Sequence, residues 1–437
     1  MAAATLETPQ AAANRFLTSL HHPSHILVAI SGGSDSTGLL MALADTNRSQ
    51  HLFHTLSAVT VDHGLRSEST EEALSVAALC RRLGIPHLTR RWEGSKPNSG
   101  LMAAAREARY ELLAAAAADL GADVIVTGHT LDDQQETLAM RGARVSGRDR
   151  GETARGIADA VLFDRRVWIV RPFLKCRRAD IRAALVTRGI GWIDDPSNVD
   201  LHYERVRVRA LLGVSEVAAI IDDGGSAAMR LSQSAAAWVG ESVTIHAALL
   251  GCVDIASIDT NSPVFAYGLS YLATVFGGQP FALGHEKLQR ILAFIADGLP
   301  GRRTAGGVVF DLRRGGLYLM RESRNIAALR LPPGARGVWD GRFDVHNDGP
   351  GAVHIVANGE ARSVALPAGL PGSAAMRAAA SAPSVLFEAD NGPKNDGAVT
   401  ITPRLAPFDR FLTRFDLTLA DQLSRSFGRT AYLSPPL

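Results

Sequence analysis

Cysteine is scarce in this 437-residue chain, and its placement excludes whole function classes. Cys80, Cys176 and Cys252 are widely spaced, odd in number and never in a Cys-x-x-Cys pattern. That argues against a disulfide framework, a zinc ribbon or an iron–sulfur cluster, and it fits a reducing cytoplasm. Long apolar runs are also missing. The longest, such as Leu112 to Ala118, are too short to span a bilayer, so no membrane role is expected. Met1 to Gln10 shows neither the basic nor the apolar region of a secretory signal. An excess of one sign of charge is nearly absent overall: the formal net charge is +2, which does not by itself announce nucleic acid. No internal repeat is evident. What remains, 46% hydrophobic and 21% charged residues, is the composition of a soluble globular protein long enough for two or three domains.

Charge is uneven along the chain. Between Arg141 and Arg209 stand 16 Lys and Arg against 9 Asp and Glu, a block suited either to phosphates or to a solvated helical surface.

The most informative stretch runs from Ile26 to Leu40. The apolar run Ile26 to Ile30 has the length of a buried parallel strand. It leads into Ser31-Gly32-Gly33-Ser34-Asp35-Ser36-Thr37, after which Leu39, Leu40 and Leu43 recur at helical spacing. Strand, glycine turn and helix start together make a phosphate-holding device. The glycines admit a close anion, and hydroxyls and unpaired N–H groups of the helix start point at it. Asp35 is placed to hold a Mg²⁺ ion on those phosphates. The loop lacks the Lys of a Walker-type nucleotide loop and the Gly-x-Gly-x-x-Gly spacing of a dinucleotide fold.

Residues 26 to about 190 alternate strand-like and helical patterns. Strands are expected over Leu56–Val61, His87–Trp92, Asp123–Thr127 and Val167–Val170. Helices are expected over Glu71–Leu83, from an Asn98 or Ser99 cap to Leu120, over Asp132–Arg141 and over Lys175–Val186. The fold class is therefore α/β, a doubly wound parallel sheet with ligands at the carboxyl ends of its strands. Ser31 to Ser36, Asp62-His63 and Gly128-His129 all fall at such ends. A Gly-rich break is expected at Asp222–Ser226, then a mainly helical segment whose clearest helix is Glu286–Asp297. A hairpin follows, from Val308-Val309-Phe310 to Leu317-Tyr318-Leu319 around Arg313-Arg314-Gly315-Gly316. The Pro- and Gly-rich remainder reads as a small α+β domain, and the tail from Tyr432 as loose. The expected domains are 1–215, 216–325 and 326–437.

A second constellation is Gly128-His129-Thr130-Leu131-Asp132-Asp133-Gln134-Gln135-Glu136-Thr137. Paired carboxylates open a helix at the sheet edge. They serve either as helix caps or as ligands for Mg²⁺ or a cationic substrate, with His129 against phosphate or developing charge. Arg106 and Arg109 share a helix face, and Arg205, Arg207 and Arg209 alternate. Both sets suit phosphates or surface ion pairs.

Ser-Gly-Gly-x-Asp-Ser after a strand resembles the pyrophosphate (PP) loop of the ATP pyrophosphatases, which cleave ATP between the α and β phosphates. With the second constellation the chain resembles the tRNA(Ile)-lysidine synthetase family. Further segments fit in order: Val61-Asp62-His63-Gly64-Leu65-Arg66-Ser67-Glu68-Ser69, Ala105-Arg106-Glu107-Ala108-Arg109-Tyr110, Arg171-Pro172-Phe173-Leu174, Trp192-Ile193-Asp194-Asp195-Pro196-Ser197-Asn198 and Tyr203-Glu204-Arg205-Val206-Arg207-Val208-Arg209. The resemblance covers roughly residues 25 to 212.

It implies an adenine nucleotide alpha-hydrolase-like domain and an ATP-dependent ligase. That enzyme joins free L-lysine to C2 of the wobble cytidine of tRNA(Ile) with a CAU anticodon. The reaction passes through an adenylated cytidine and releases AMP and pyrophosphate. The partners implied are ATP, Mg²⁺, lysine and that tRNA, in the cytoplasm, and the reading admits a homodimer. Ser31, Gly32, Gly33, Ser34, Asp35, Ser36, Asp62 and His63 are then expected at ATP, Asp35 on Mg²⁺, and Asp35, His129, Asp132 and Asp133 in catalysis. Arg106, Arg109, Glu136, Arg205 and Arg207 are expected at the substrates.

Thr130, Val145 and Val206 depart from the family pattern, which usually has His, Gly and Asn there. Two other readings stay open: a tRNA-binding module whose nucleotide site has decayed, and another PP-loop tRNA-modifying enzyme. A cytidine thiolase would need paired cysteines, and an amide-forming relative would need a glutamine-hydrolysing module.

Overall fold

A computed structural model describes residues 6–64, 69–97, 99–144, 156–194, 224–359, 366–388 and 398–437. The chain divides into two compact units: Met1–Ala227 with Leu433–Leu437, and Ala228–Tyr432. The expected boundary at residue 215 lies outside the described residues.

The first unit contains α1 (Pro9–Ser19), β1 (His25–Ala29), α2 (Ser34–Ser49), β2 (Thr55–Asp62), α3 (Ser69–Leu83), β3 (His87–Arg91), α4 (Leu101–Leu120), β4 (Val124–Thr127), α5 (Leu131–Arg144), β5 (Ala160–Phe163), β6 (Val167–Val170) and α6 (Arg178–Thr187). Its strands lie in the order β5-β6-β4-β1-β2-β3. All neighbours are parallel except β5, which pairs antiparallel with β6. Ile26, Leu27 and Val28 are buried, as a strand covered on both faces requires. Helices α1, α2 and α6 pack on one another, and α4 crosses β2, β3 and β4.

The strand order places the site. From β1 the chain winds outward through β2 to β3, then crosses by α4 to β4 on the other side of β1. The carboxyl ends of β1 and β4 therefore flank a topological switch point, where an open α/β sheet leaves a crevice for ligands.

Several local expectations change. Helix α4 is preceded by Gly100 in a left-handed conformation (φ 67°), so Ser99 is not its cap, and Asn98 lies outside the described residues. Helix α6 begins at Arg178, not Lys175, because residues 172–177 form a turn and Asp132 accepts the Arg178 N–H (2.9 Å). The stretch expected as a break at 222–226 is helical from Gly224 onward. The tail is not loose. Tyr432 is buried with its hydroxyl donating to Asp409 (2.6 Å), the Trp168 indole N–H donates to the Leu433 carbonyl (2.9 Å), and the His21 N–H donates to the Pro436 carbonyl (3.1 Å).

The second unit begins within helix Gly224–Ser242 and continues into an antiparallel sheet of β7 (Val243–His246), β8 (Leu250–Val253), β9 (Gly301–Ala305), β10 (Val308–Arg313) and β11 (Gly316–Arg321) in the order β7-β8-β11-β10-β9. Helices Pro263–Gly277 and His285–Ala296 sit between β8 and β9 in the chain. The expected hairpin is β10–β11, turning at Arg313–Gly316. Short strands and helices follow to Ser426. Leu250, Val309 and Met320 share one buried cluster with Trp339, Phe343 and Val353, so packing is continuous across residues 325 and 326. No helix among the described residues is long and apolar enough to cross a membrane.

Candidate active site

Three segments meet at the carboxyl edge of the parallel sheet. The first is the turn after β1. Gly32 takes φ +87°, a conformation that favours glycine, and a Cβ there would lie 2.6 Å from Ile193 Cδ1. The turn is closed on itself: the Ser31 N–H donates to Ser36 Oγ (3.1 Å), and the Ser36 hydroxyl donates to the Gly33 carbonyl (3.2 Å). The second is the turn after β4. A Cβ on Gly128 would stand 2.8 Å from the Ser36 nitrogen and 2.9 Å from the Asp35 carbonyl carbon. Only a bare Cα lets the two turns touch backbone to backbone. The third follows β2, where Asp62 Oδ1 accepts the Gly64 N–H (2.8 Å), and His63 stands edge-on to Trp92 with centroids 6.1 Å apart. Among the described residues the buried His63 Nδ1 has no hydrogen-bond partner.

The helix starts carry the carboxylates. Asp35 lies in the first turn of α2, and Asp132 and Asp133 in the first turn of α5, where the dipole favours negative charge. Asp132 caps the first N–H of α6. Asp133 Oδ2 accepts both the N–H and the hydroxyl of Thr130 (2.8 and 2.9 Å). Glu136 is buried one turn along the same helix.

These environments move the titrations apart. Burial pushes the Asp35 carboxyl above its ordinary value even though Arg178 draws it down. Burial also presses Asp133 upward, but Arg178 and the Thr130 hydrogen bonds outweigh it and hold Asp133 low. Hydrogen bonds from Ser69 and the Gly64 N–H overcome burial at Asp62 and keep it low. His129 is driven well below 6.5 by burial, then by Arg171, with Arg109 and Arg106 adding to the effect. It is therefore a neutral hydrogen-bonding group near pH 7, not a cation.

Arg106 and Arg109 come together with Arg171 around Tyr110. Arg106 lies over the Tyr110 ring (5.2 Å to the centroid), and Arg171 hydrogen-bonds the phenol. Burial lowers the pKa of the Arg109 guanidinium. A cluster of three arginines suits an anion. Arg205 and Arg207 lie outside the described residues, as do Val145 and Val206.

A PP-loop domain model matches residues 6–215. The tRNA(Ile)-lysidine synthase of Rhizobium meliloti (strain 1021) is 43% identical over 441 residues, 97% of this chain and 96% of that one. The chain belongs to the tRNA(Ile)-lysidine synthase family. The synthase of Mesorhizobium japonicum (strain LMG 29417 / CECT 9101 / MAFF 303099) is 37% identical over 99% of this chain and 98% of its own. That of Brucella ovis (strain ATCC 25840 / 63/290 / NCTC 10512) is 38% identical over 76% and 77%. This member is thus an ATP-using PP-loop ligase in which the loop, the β4 turn and the Asp62-His63 turn converge.

Residues not anticipated from sequence complete the site of this synthase-family chain. Arg178, at the start of α6, donates from Nε to Asp35 Oδ2 (2.8 Å) and approaches Asp133 Oδ1 through Nη2 (3.5 Å). Arg182, one turn on, donates to Ser34 Oγ (3.3 Å) and to Asp194 (3.0 Å) and lies over the Trp192 ring. The Ile193 N–H donates to the Gly32 carbonyl (2.9 Å). The Trp192-Ile193-Asp194 segment thus braces the phosphate loop from outside. The available signal was spacing: Arg178 and Arg182 stand at i, i+4, on one face of a predicted helix.

Proposed function

We infer that this chain uses ATP to join free L-lysine to C2 of the wobble cytidine of tRNA(Ile) with a CAU anticodon. The observation that carries the reading is the convergence of the phosphate loop and the carboxylate-bearing α5 start at one switch point, in a chain 43% identical to a tRNA(Ile)-lysidine synthase over almost its whole length.

Cytosine O2 is a poor leaving group until it is adenylated. In the first step O2 attacks the α-phosphorus and pyrophosphate departs. In the second the lysine ε-amine attacks C2, AMP leaves with the former O2, and the amine gives up a proton. Gly32, Gly33 and the free N–H groups of α2 receive the pyrophosphate, assisted by the hydroxyls of Ser31, Ser34 and Ser36. Asp62 and His63 line the ATP side of the crevice. Lysine brings two cations, which the acidic face of α5, Asp132, Asp133 and Glu136, attracts. Neutral His129 accepts or donates a hydrogen bond at the reacting base, and Arg106 and Arg109 take RNA phosphates, joined by Arg205 and Arg207.

A Mg²⁺ ion fits as a partner of the nucleotide. Such ions use one or two carboxylates plus phosphates, and Asp35 at the loop supplies one. Among the described residues no group of three or more His, Cys, Asp or Glu would hold a metal by itself. When bound, the ion neutralises the leaving pyrophosphate.

The second unit suits the body of the tRNA. Its edge strand β9 exposes Arg302 and Arg303 beside helix His285–Ala296, which exposes Lys287 and Arg290.

The test is incorporation of labelled lysine into a tRNA(Ile) transcript with a CAU anticodon, given ATP and Mg²⁺. Wild-type incorporation that disappears with Asp35→Ala and with another wobble base supports the reading. Tight tRNA binding with neither AMP release nor incorporation would overturn it in favour of a binding module.

A further inference from the structure

Arg178 holds an unusual position among the helix starts of the first unit. Its backbone N–H is capped by Asp132, its Nε donates to Asp35, and its Nη2 reaches toward Asp133. One residue at the N-terminus of α6 thus meets carboxylates from the first turns of α2 and α5. The contacts are sheltered: the three side chains are between 14% and 19% exposed. A cation at a helix N-terminus is unfavourable against the dipole, so a guanidinium there needs a compensating partner. The partners are the very carboxylates expected to face a nucleotide-borne cation and a cationic substrate.

Asp133 has a second engagement, because its Oδ2 is held by Thr130. Among the described residues Asp35 has only the neighbouring Ser34 hydroxyl besides Arg178. If Arg178 leaves, Asp35 is the carboxylate released. A guanidinium that releases a carboxylate needs another anion with matching oxygens, and phosphate is the anion this edge is built to receive. Arg182 on the same helix face already touches the loop at Ser34, so α6 lies within side-chain reach of the phosphate turn.

We propose that Arg178 is an exchangeable counter-ion. Without nucleotide it occupies Asp35 and Asp133. When ATP binds, it transfers to the pyrophosphate and frees Asp35 for the Mg²⁺ that arrives with the nucleotide. The exchange makes metal binding at Asp35 depend on ATP and prevents an idle ion from occupying the loop. It rests on the assigned use of ATP at this loop, and on neither lysine nor tRNA.

The experiment uses the full chain and reads metal and nucleotide binding separately. Mn²⁺ is titrated without nucleotide and followed by electron paramagnetic resonance, and ATP binding is measured by equilibrium dialysis with Mg²⁺. Arg178→Gln is expected to bind Mn²⁺ about tenfold more tightly than wild type without nucleotide, and ATP about tenfold more weakly. Adding Asp35→Asn to Arg178→Gln should abolish the gained Mn²⁺ affinity. Arg178→Lys, which keeps the charge but not the fork, should change both constants with the same signs and smaller size. A merely structural arginine would weaken both or change neither, and either result overturns the proposal. So does a gained Mn²⁺ site that survives Asp35→Asn. Lysine incorporation is scored apart: its absence with the opposed shifts intact would count against the ligation reading alone.

Discussion

Thr130 gives both its N–H and its hydroxyl to one carboxylate oxygen of Asp133, at 2.8 and 2.9 Å. This threonine stands where the family pattern has a second histidine, and the structure gives it work as the residue before α5. Thr130→Ala keeps the N–H bond but removes the hydroxyl's bond to the Asp133 carboxylate, and should lower stability by about 1 kcal/mol, measured as a shift in the urea midpoint. An unchanged midpoint would mean that the hydroxyl bond contributes nothing.

Glycines at the two turns have a sharper prediction. Gly128→Ala brings a Cβ within 2.8 Å of the Ser36 nitrogen, and backbone cannot yield as a side-chain tip can. The KM for ATP should rise at least about tenfold, the kinetic equivalent of 1.4 kcal/mol. Gly191→Ala is the control, since nothing lies within 4 Å of its added methyl. Equal effects from both would remove the argument from close approach.

The fold of the first unit was legible where burial is complete. Strands β1, β2, β4 and β6 announce themselves as apolar runs because helices cover both faces of the sheet. Strand β5 escaped because its turn into β6 runs through Asp164 and Arg165, both at positive φ, with neither Gly nor Asn to mark it. Helix α1 did leave a mark, Thr8 followed by Pro9, the cap and first-turn pair that opens a helix. The phosphate loop and the α5 carboxylates were readable because each is a local motif. Arg178 was not, since its partner Asp35 is 143 residues away and only the fold joins them.

The pH dependence follows from His129. Burial and Arg171 hold its folded pKa well below 6.5, so the folded state resists a proton that the unfolded chain accepts. The stability it contributes is complete above about 6.5 and declines as pH falls from there toward the folded value. His63, lowered by burial and Arg109, acts in the same direction. Denaturant midpoints between pH 7.5 and 5.5 should fall less steeply in His129→Gln than in wild type. Parallel curves would show that His129 takes up its proton equally in both states.

On the second unit, Arg302→Glu with Arg303→Glu should weaken tRNA binding and flatten its salt dependence by roughly one to two phosphate contacts' worth. ATP affinity should be untouched. Binding curves at several salt concentrations decide the matter, and an unaltered slope would take β9 off the RNA surface.

The return of Leu433–Leu437 to the first unit, where Trp168 and His21 hold it, has a consequence for biosynthesis. A nascent first unit can form most of its sheet early, yet it lacks these contacts until the second unit's sequence has also left the ribosome. Folding of the amino-terminal unit is therefore finished last, and a frameshift close to residue 433 damages the unit whose other residues were made first.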